Sequence, residues 1–267
     1  MTDKTPRHIL SLSGGKDSTA LAIFMRDRLP QMEYVFCDTG KELPETYEYL
    51  NRVEAFLGKP IVRLNSEFSF DHWLQVYSGF LPSAPMRWCT KSLKLKPFEK
   101  YVGEDLVYSY IGIRADEDRV GYISHKPNLI PVYPFKEEGI NKADVFRILE
   151  ESGLGLPAYY EWRTRSGCYF CFFQRKAEWI GLKNRHPELF ELAKSYEKVN
   201  PTTGERFTWI NGESLDELSG REDEVLSRHQ QTMERQRRTA PNRPLIELFE
   251  DTLDDESDDP GCNICHL

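Results

Sequence analysis

No apolar run in this 267-residue chain reaches the length of about 18 residues that a helical membrane span needs. The opening stretch, Met1 to Arg7, has no apolar h-region, so no secretory signal is expected, and a reducing cytoplasm is the expected compartment. No internal repeat is found, which excludes solenoids and propellers. A strongly basic balance is also missing: the net charge is −8, with seven acids and no base between Glu250 and Asp259. Without that stretch the body is nearly neutral, and a neutral body is a poor stand-alone binder of DNA. If DNA is the target, partner proteins would have to present it, or a local basic rim would have to suffice. Cysteines number six. In a reducing compartment they read as metal ligands or catalytic thiols rather than disulfides. The G-x-x-x-x-G-K-[ST] loop of Walker-type nucleotide sites is absent as well.

A different glycine loop is present. Residues 13–18 read Ser13-Gly14-Gly15-Lys16-Asp17-Ser18, after the apolar segment His8 to Leu12 and before the helix-forming run Thr19 to Met25. Glycines between a buried strand and a helix let backbone N–H groups close around an anion at the helix N-terminus. Ser13 and Ser18 add hydroxyl donors and Lys16 a positive charge. Asp17 brings an acid into the anion site, which makes sense if Mg²⁺ bridges it to phosphate. Asp38, after the next strand, is the other acid in reach, or else caps its own turn.

Strand and helix patterns alternate through the first half. Strands are expected at 8–12, 33–37, 61–64 and 106–113, and a helix over 44–57 with Pro44 in its first turn and Gly58 at its end. Such alternation predicts an α/β fold, a parallel twisted sheet with helices on both faces and ligands at the carboxyl ends of the strands. Further helices are expected over 141–151, over 179–199 with an interruption near Pro187, and over 213–239. The expected organisation is a nucleotide-binding domain over 1–150, a helical cysteine-bearing region over 151–249, and an acidic linker with a CxxC tail over 250–267.

Four segments carry a family resemblance. Ser13 to Ser18 matches the SGGxDS signature of the PP-loop ATP pyrophosphatases. Cys37-Asp38-Thr39-Gly40-Lys41-Glu42-Leu43-Pro44-Glu45-Thr46 is similar to the DTGxxFPET stretch of phosphoadenylyl-sulfate (PAPS) reductases, with Leu43 in place of Phe. Trp88 to Phe98 resembles the CCxxRKxxPL region of iron–sulfur adenylyl-sulfate (APS) reductases, with Trp88 in place of the first Cys. Gly112-Ile113-Arg114-Ala115-Asp116-Glu117-Asp118-Arg119 is similar to the GxRxxES..R element. The chain thus resembles the PAPS reductase-like branch of the PP-loop superfamily, with an adenine nucleotide alpha hydrolase-like sheet. Around Arg163 to Gln174 it looks most like the DndC and SspD types of DNA phosphorothioation ATP pyrophosphatase.

The resemblance implies an enzyme that cleaves ATP between its α- and β-phosphates and adenylates an oxygen acceptor for sulfur incorporation. Lys16, Asp17, Asp38 and Arg114 would be catalytic. Ser13, Gly14, Gly15, Lys16, Asp17, Ser18, Asp38, Thr39, Gly40 and Arg119 would hold ATP and Mg²⁺. For Arg114 and Arg119 the alternative is a structural ion pair with Asp116 or Glu117. Sulfur would come from a cysteine desulfurase partner; a homo-oligomer is left open. The CxxC of Cys168 and Cys171, with Cys89 at the family's upstream ligand position, implies a 4Fe–4S cluster whose fourth ligand is Cys262 or Cys265 or is absent. Zinc on Cys168, Cys171, Cys262 and Cys265, or no metal at all, are the alternatives. Cys37 is expected to be packed. Two other functions stay open: a PAPS or APS reductase releasing sulfite, and a non-catalytic nucleotide-sensing subunit with structural zinc.

Overall fold

A computed structural model describes residues 5–119, 121, 126–199, 202 and 204–237. Two compact units emerge among them: the first from 5–73 and 87–168, the second from 74–86 and from 169 onward. Cys262, Cys265 and the acidic stretch lie outside the described residues.

In the first unit, β1 (Arg7–Ser11), α1 (Lys16–Arg26), β2 (Glu33–Asp38), α2 (Pro44–Leu57) and β3 (Ile61–Asn65) alternate as the sequence predicts. α2 begins at Pro44 and stops at Gly58, whose φ of 63° closes the helix through an N–H bond to the Glu54 carbonyl. α3 (Phe70–Val76) follows, then a helical run of α4 (Trp88–Thr90), a π-helical stretch (Lys91–Leu95) and α5 (Lys96–Val102). β4 (Val107–Tyr110), β5 (Leu129–Val132), α6 (Pro134–Glu137) and α7 (Lys142–Glu151) complete the layer structure. Asn141 caps α7 by accepting the N–H groups of Ala143 and Asp144.

The five strands pair in the order β3-β2-β1-β4-β5, and every pairing is parallel. Alternate residues of each strand point to opposite faces. Leu10, Tyr34, Phe36 and Tyr110 bury one face with Leu21, Leu50, Val53 and Val145 of α1, α2 and α7. Ile9, Val35, Cys37 and Val107 bury the other with Phe98 and Val102 of α5. Helices on both faces of a parallel sheet put the ligand-binding edge at the strands' carboxyl ends. The loops after β1, β2 and β3 all open there.

The second unit is mainly helical: α8 (Lys176–Arg185), α9 (Pro187–Tyr196), α10 (Leu215–Ser219) and α11 (Glu222–Arg237), with a short antiparallel pair, β6 (Lys198–Val199) and β7 (Arg206–Phe207). Pro187 restarts the helix, as the sequence predicts. The expected single helix over 213–239 is two, because Arg221 follows a turn at Gly220 that ends α10. An aromatic core of Phe170, Trp179, Tyr196 and Trp209 holds this unit, with Phe170 stacked on Trp209 at 4.9 Å.

Candidate phosphate site

The loop between β1 and α1 is closed by its own hydroxyls. Ser18 Oγ accepts the Ser13 N–H at 3.1 Å and donates to the Gly15 carbonyl at 3.2 Å, while Ser13 Oγ accepts the Gly15 N–H at 3.3 Å. Gly14 sits at φ 73°, the left-handed region, and a Cβ there would stand 2.7 Å from Thr46 Cγ2. Glycine is therefore demanded twice, by backbone conformation and by packing. Gly112 is held just as tightly: its Cβ would lie 3.0 Å from the Asp17 carbonyl oxygen, so β4's exit can pass close to α1. These contacts aim the N-terminus of α1 at the sheet's carboxyl edge.

Asp17 is the electrostatic centre. Its Oδ2 accepts from Lys16 Nζ at 2.8 Å and its Oδ1 from Arg114 Nη1 at 2.8 Å. Burial alone would raise its pKa; the Lys16 ammonium and the Arg114 guanidinium outweigh it and hold the carboxyl below its ordinary range. Arg114 also binds Asp116 at 2.9 Å and Glu117 at 2.9 Å, and Glu117 in turn binds Arg119. Both arginines are thus engaged in ion pairs with acids of their own loop, the alternative the sequence left open. Asp38 Oδ1 accepts the Gly40 N–H at 2.8 Å and the Tyr47 hydroxyl at 2.8 Å, so it caps the turn after β2. Gly40 therefore lies with Thr39 in that turn.

Residues distant in sequence complete the cradle. Tyr159 donates its hydroxyl to the Gly14 carbonyl at 2.7 Å. The Tyr160 hydroxyl accepts the Lys16 N–H at 3.2 Å, and Ser166 Oγ donates to Ser13 Oγ at 3.1 Å. A small cavity bordered by Ser13, Cys37, Glu42, Lys94, Ser166 and Gly167 lies behind the loop. No spacing in the sequence announces Tyr159, Tyr160 or Ser166 as partners of a loop some 145 residues earlier. Tyr160 takes up an amide that a bound phosphate would use. Tyr160→Phe should therefore tighten nucleotide binding by roughly two- to tenfold, the worth of one hydrogen bond. Calorimetric titration of the variant checks this, and weaker binding would give the hydroxyl a direct role in holding ligand.

The cysteines divide. Cys37 is packed, as expected: burial pushes its thiol up to about 11, with Lys94 offsetting part of the rise. Cys168 Sγ lies 3.2 Å from Thr39 Oγ1 and 3.7 Å from Glu42 Oε1, and its backbone forms an isolated antiparallel bridge with Glu42. Arg163, 1% exposed, donates to the carbonyls of Gly167 and Cys168. That places its guanidinium in a structural role rather than on a basic rim. Cys89 lies in α4 of the same unit, while Cys171 belongs to the second unit. Among the described residues no group of three or more His, Cys, Asp or Glu side chains is gathered to hold a metal ion. The cluster's fourth candidate ligand, Cys262 or Cys265, lies outside the described residues, and no step is routed through a cluster or a protein-held Mg²⁺. Mg²⁺ bound to a triphosphate would arrive with the substrate.

The profile of the phosphoadenosine phosphosulfate reductase domain matches residues 7–154. An uncharacterized protein of Methanocaldococcus jannaschii is 29% identical over 197 residues, which is 68% of this chain and 40% of that protein. The chain therefore spans less than half of that relative's length. The tRNA-specific 2-thiouridylase MnmA of Buchnera aphidicola is 27% identical over 130 residues, 42% of this chain and 34% of that one. Among solved structures, the phosphoadenylyl-sulfate reductase of Candida auris, a phosphate complex, is similar at 15% identity and a TM-score of 0.49, covering 62% of this chain and 82% of that chain.

Proposed function

The chain belongs to the phosphoadenosine phosphosulfate reductase domain family, and from that premise we propose that it is an ATP pyrophosphatase that adenylates an oxygen acceptor for sulfur incorporation. The observation that carries the reading is the Lys16–Asp17–Arg114 triad at the mouth of the Ser13–Ser18 loop. Two cations held by one buried acid form a preorganised site for a polyanionic leaving group. An acceptor oxygen attacks the α-phosphorus, the bond to the bridging oxygen breaks, and pyrophosphate leaves with the electron pair. Catalysis of this kind is positioning plus charge stabilisation. A persulfide charged by a cysteine desulfurase partner then displaces AMP, forming the acceptor–sulfur bond, and a thiol reductant cleaves the remaining S–S bond to leave the sulfur on the acceptor. DNA, modified by phosphorothioation as in the DndC and SspD types, is the proposed acceptor; the 2-thiouridylase likeness supports sulfur chemistry on a nucleic acid. A 4Fe–4S cluster on Cys89, Cys168 and Cys171 remains part of the proposal, as do Asp38, Thr39, Gly40 and Arg119 as nucleotide contacts.

The deciding experiment incubates the anaerobically purified full chain with ATP and with PAPS in parallel, alongside an assay of its iron, sulfide and zinc. Pyrophosphate release from ATP, with no sulfite from PAPS and thioredoxin, is the expected result. Sulfite release would make the protein a reductase; nucleotide binding without turnover, with zinc as purified, would make it a sensing subunit.

A further inference from the structure

A second set of side chains gathers on the same edge of the sheet, outside the phosphate cradle. β3 ends at Asn65, and Ser66 to Ser69 lead into α3. Phe70 turns inward onto Trp88, with ring centroids 5.0 Å apart, and that contact fixes the helix rotation. Phe68 and His72 are thereby left outward. Phe68 is 43% exposed and stacks on the exposed His72 ring at 4.3 Å and 17°. Both meet Trp73 edge-on, at 6.1 and 5.8 Å. Lys96 Nζ lies 4.8 Å from the Trp73 ring centroid. A single exposed aromatic ring is ordinary. A stacked pair against a third ring with a cation over it is a prepared π-surface.

The charges around this surface are unevenly satisfied. Its acids Asp71 and Glu99 are paired, with Lys41 at 2.9 Å and Lys126 at 3.4 Å; Glu67 is the other nearby carboxylate. Lys91, Lys96 and Lys100 are exposed and make no ion pair among the described residues. The surface thus offers rings to planar groups and ammonium groups to anions. A polymer of planar bases on a phosphate backbone matches both, and an acidic peptide matches only the second. In a duplex the bases stack on each other, so their faces are not available.

We propose that Phe68, His72 and Trp73 form a stacking platform for unpaired bases of a single-stranded nucleic acid whose phosphates contact Lys91 and Lys96. The inference rests on the adenylating reading in that the bound strand would be the acceptor. The carboxyl ends of β1, β2 and β3 lie side by side on one edge. Neighbouring strands are about 4.8 Å apart, so β3, which leads into the platform, ends about 10 Å across the sheet from β1, which leads into the phosphate loop.

The test is fluorescence anisotropy of a labelled thymidine oligonucleotide with the full chain, between about 50 and 200 mM salt. Single-strand binding is expected, weakened at least ~5-fold by Phe68→Ala and again by His72→Ala, as loss of base stacking predicts. Lys96→Ala should reduce the magnitude of the slope of log affinity against log salt by about 0.7, the share of one phosphate contact on a single strand. Melting curves of these surface variants confirm folding. Equal binding of a duplex, equal competition by polyglutamate, or indifference to both Phe68→Ala and His72→Ala would overturn the platform. ATP titrated into the same samples separates the two readings: ATP binding without strand binding sinks the platform alone, and Phe68-dependent strand binding without ATP binding sinks the adenylating reading alone.

Discussion

Lys16→Ala is expected to lower the rate of pyrophosphate release from ATP by at least ~100-fold, the loss usual when one preorganised charge is removed from a reacting centre. Lys16 occupies the first position of α1, so its backbone N–H and its ammonium both belong to the anion site. The ammonium is only 15% exposed and sits where the departing pyrophosphate would gather charge. Its effect should fall mainly on kcat, because the charge it meets grows in the transition state rather than in bound ATP. The fold should survive, since Asp17 keeps Arg114 at 2.8 Å and the loop hydroxyls of Ser13 and Ser18 are untouched. Steady-state pyrophosphate assays with circular dichroism of the same variant check both halves. Turnover close to that of the parent would move the chemistry away from this loop.

Most of the site's first half was legible because its residues are neighbours in sequence. Ser13 to Ser18 fold locally: two glycines, a helix start and hydroxyls that bond within five residues. α2 was legible from Pro44 and Gly58 alone, since one residue fixes φ and the other supplies the left-handed stop. β5 was not, because Leu129–Val132 is short, contains Pro131 and gains its strand identity only by pairing with β4. The π-helical stretch at Lys91–Leu95 has no sequence signature either, and it brings Lys94 to the cavity beside Ser13. The closing partners Tyr159, Tyr160 and Ser166 depend on the return of the chain to the loop, a tertiary fact. Arg163 illustrates the limit from the other side: nothing in the sequence marks it as a buried residue, and the structure assigns its guanidinium to the carbonyls of Gly167 and Cys168.

Asp17→Ala should be the most destabilising single change in the cradle. It removes the one carboxylate that Lys16 and Arg114 share and leaves the largely buried Lys16 ammonium without its ion-pair partner, while Arg114 keeps Asp116 and Glu117. Stripping one member from a buried ionic group costs about 3–5 kcal/mol, because the remaining charge has lost its solvent as well as its partner. For a protein of this size that corresponds to a drop in Tm of roughly 10 °C. The pH dependence follows from the direction of the shift. Asp17 is an acid whose folded pKa is depressed, with burial opposing and the two cations prevailing. Its contribution is therefore fully present above the unfolded value of about 3.9 and is lost as pH falls through the lower folded value. Thermal melts of the parent and of Asp17→Asn should differ by a constant amount from about pH 5 upward and converge as the pH drops below about 4. A gap that stayed constant through that acid range would mean the carboxylate's charge is not what holds Lys16 and Arg114, and the preorganised leaving-group site would lose its basis.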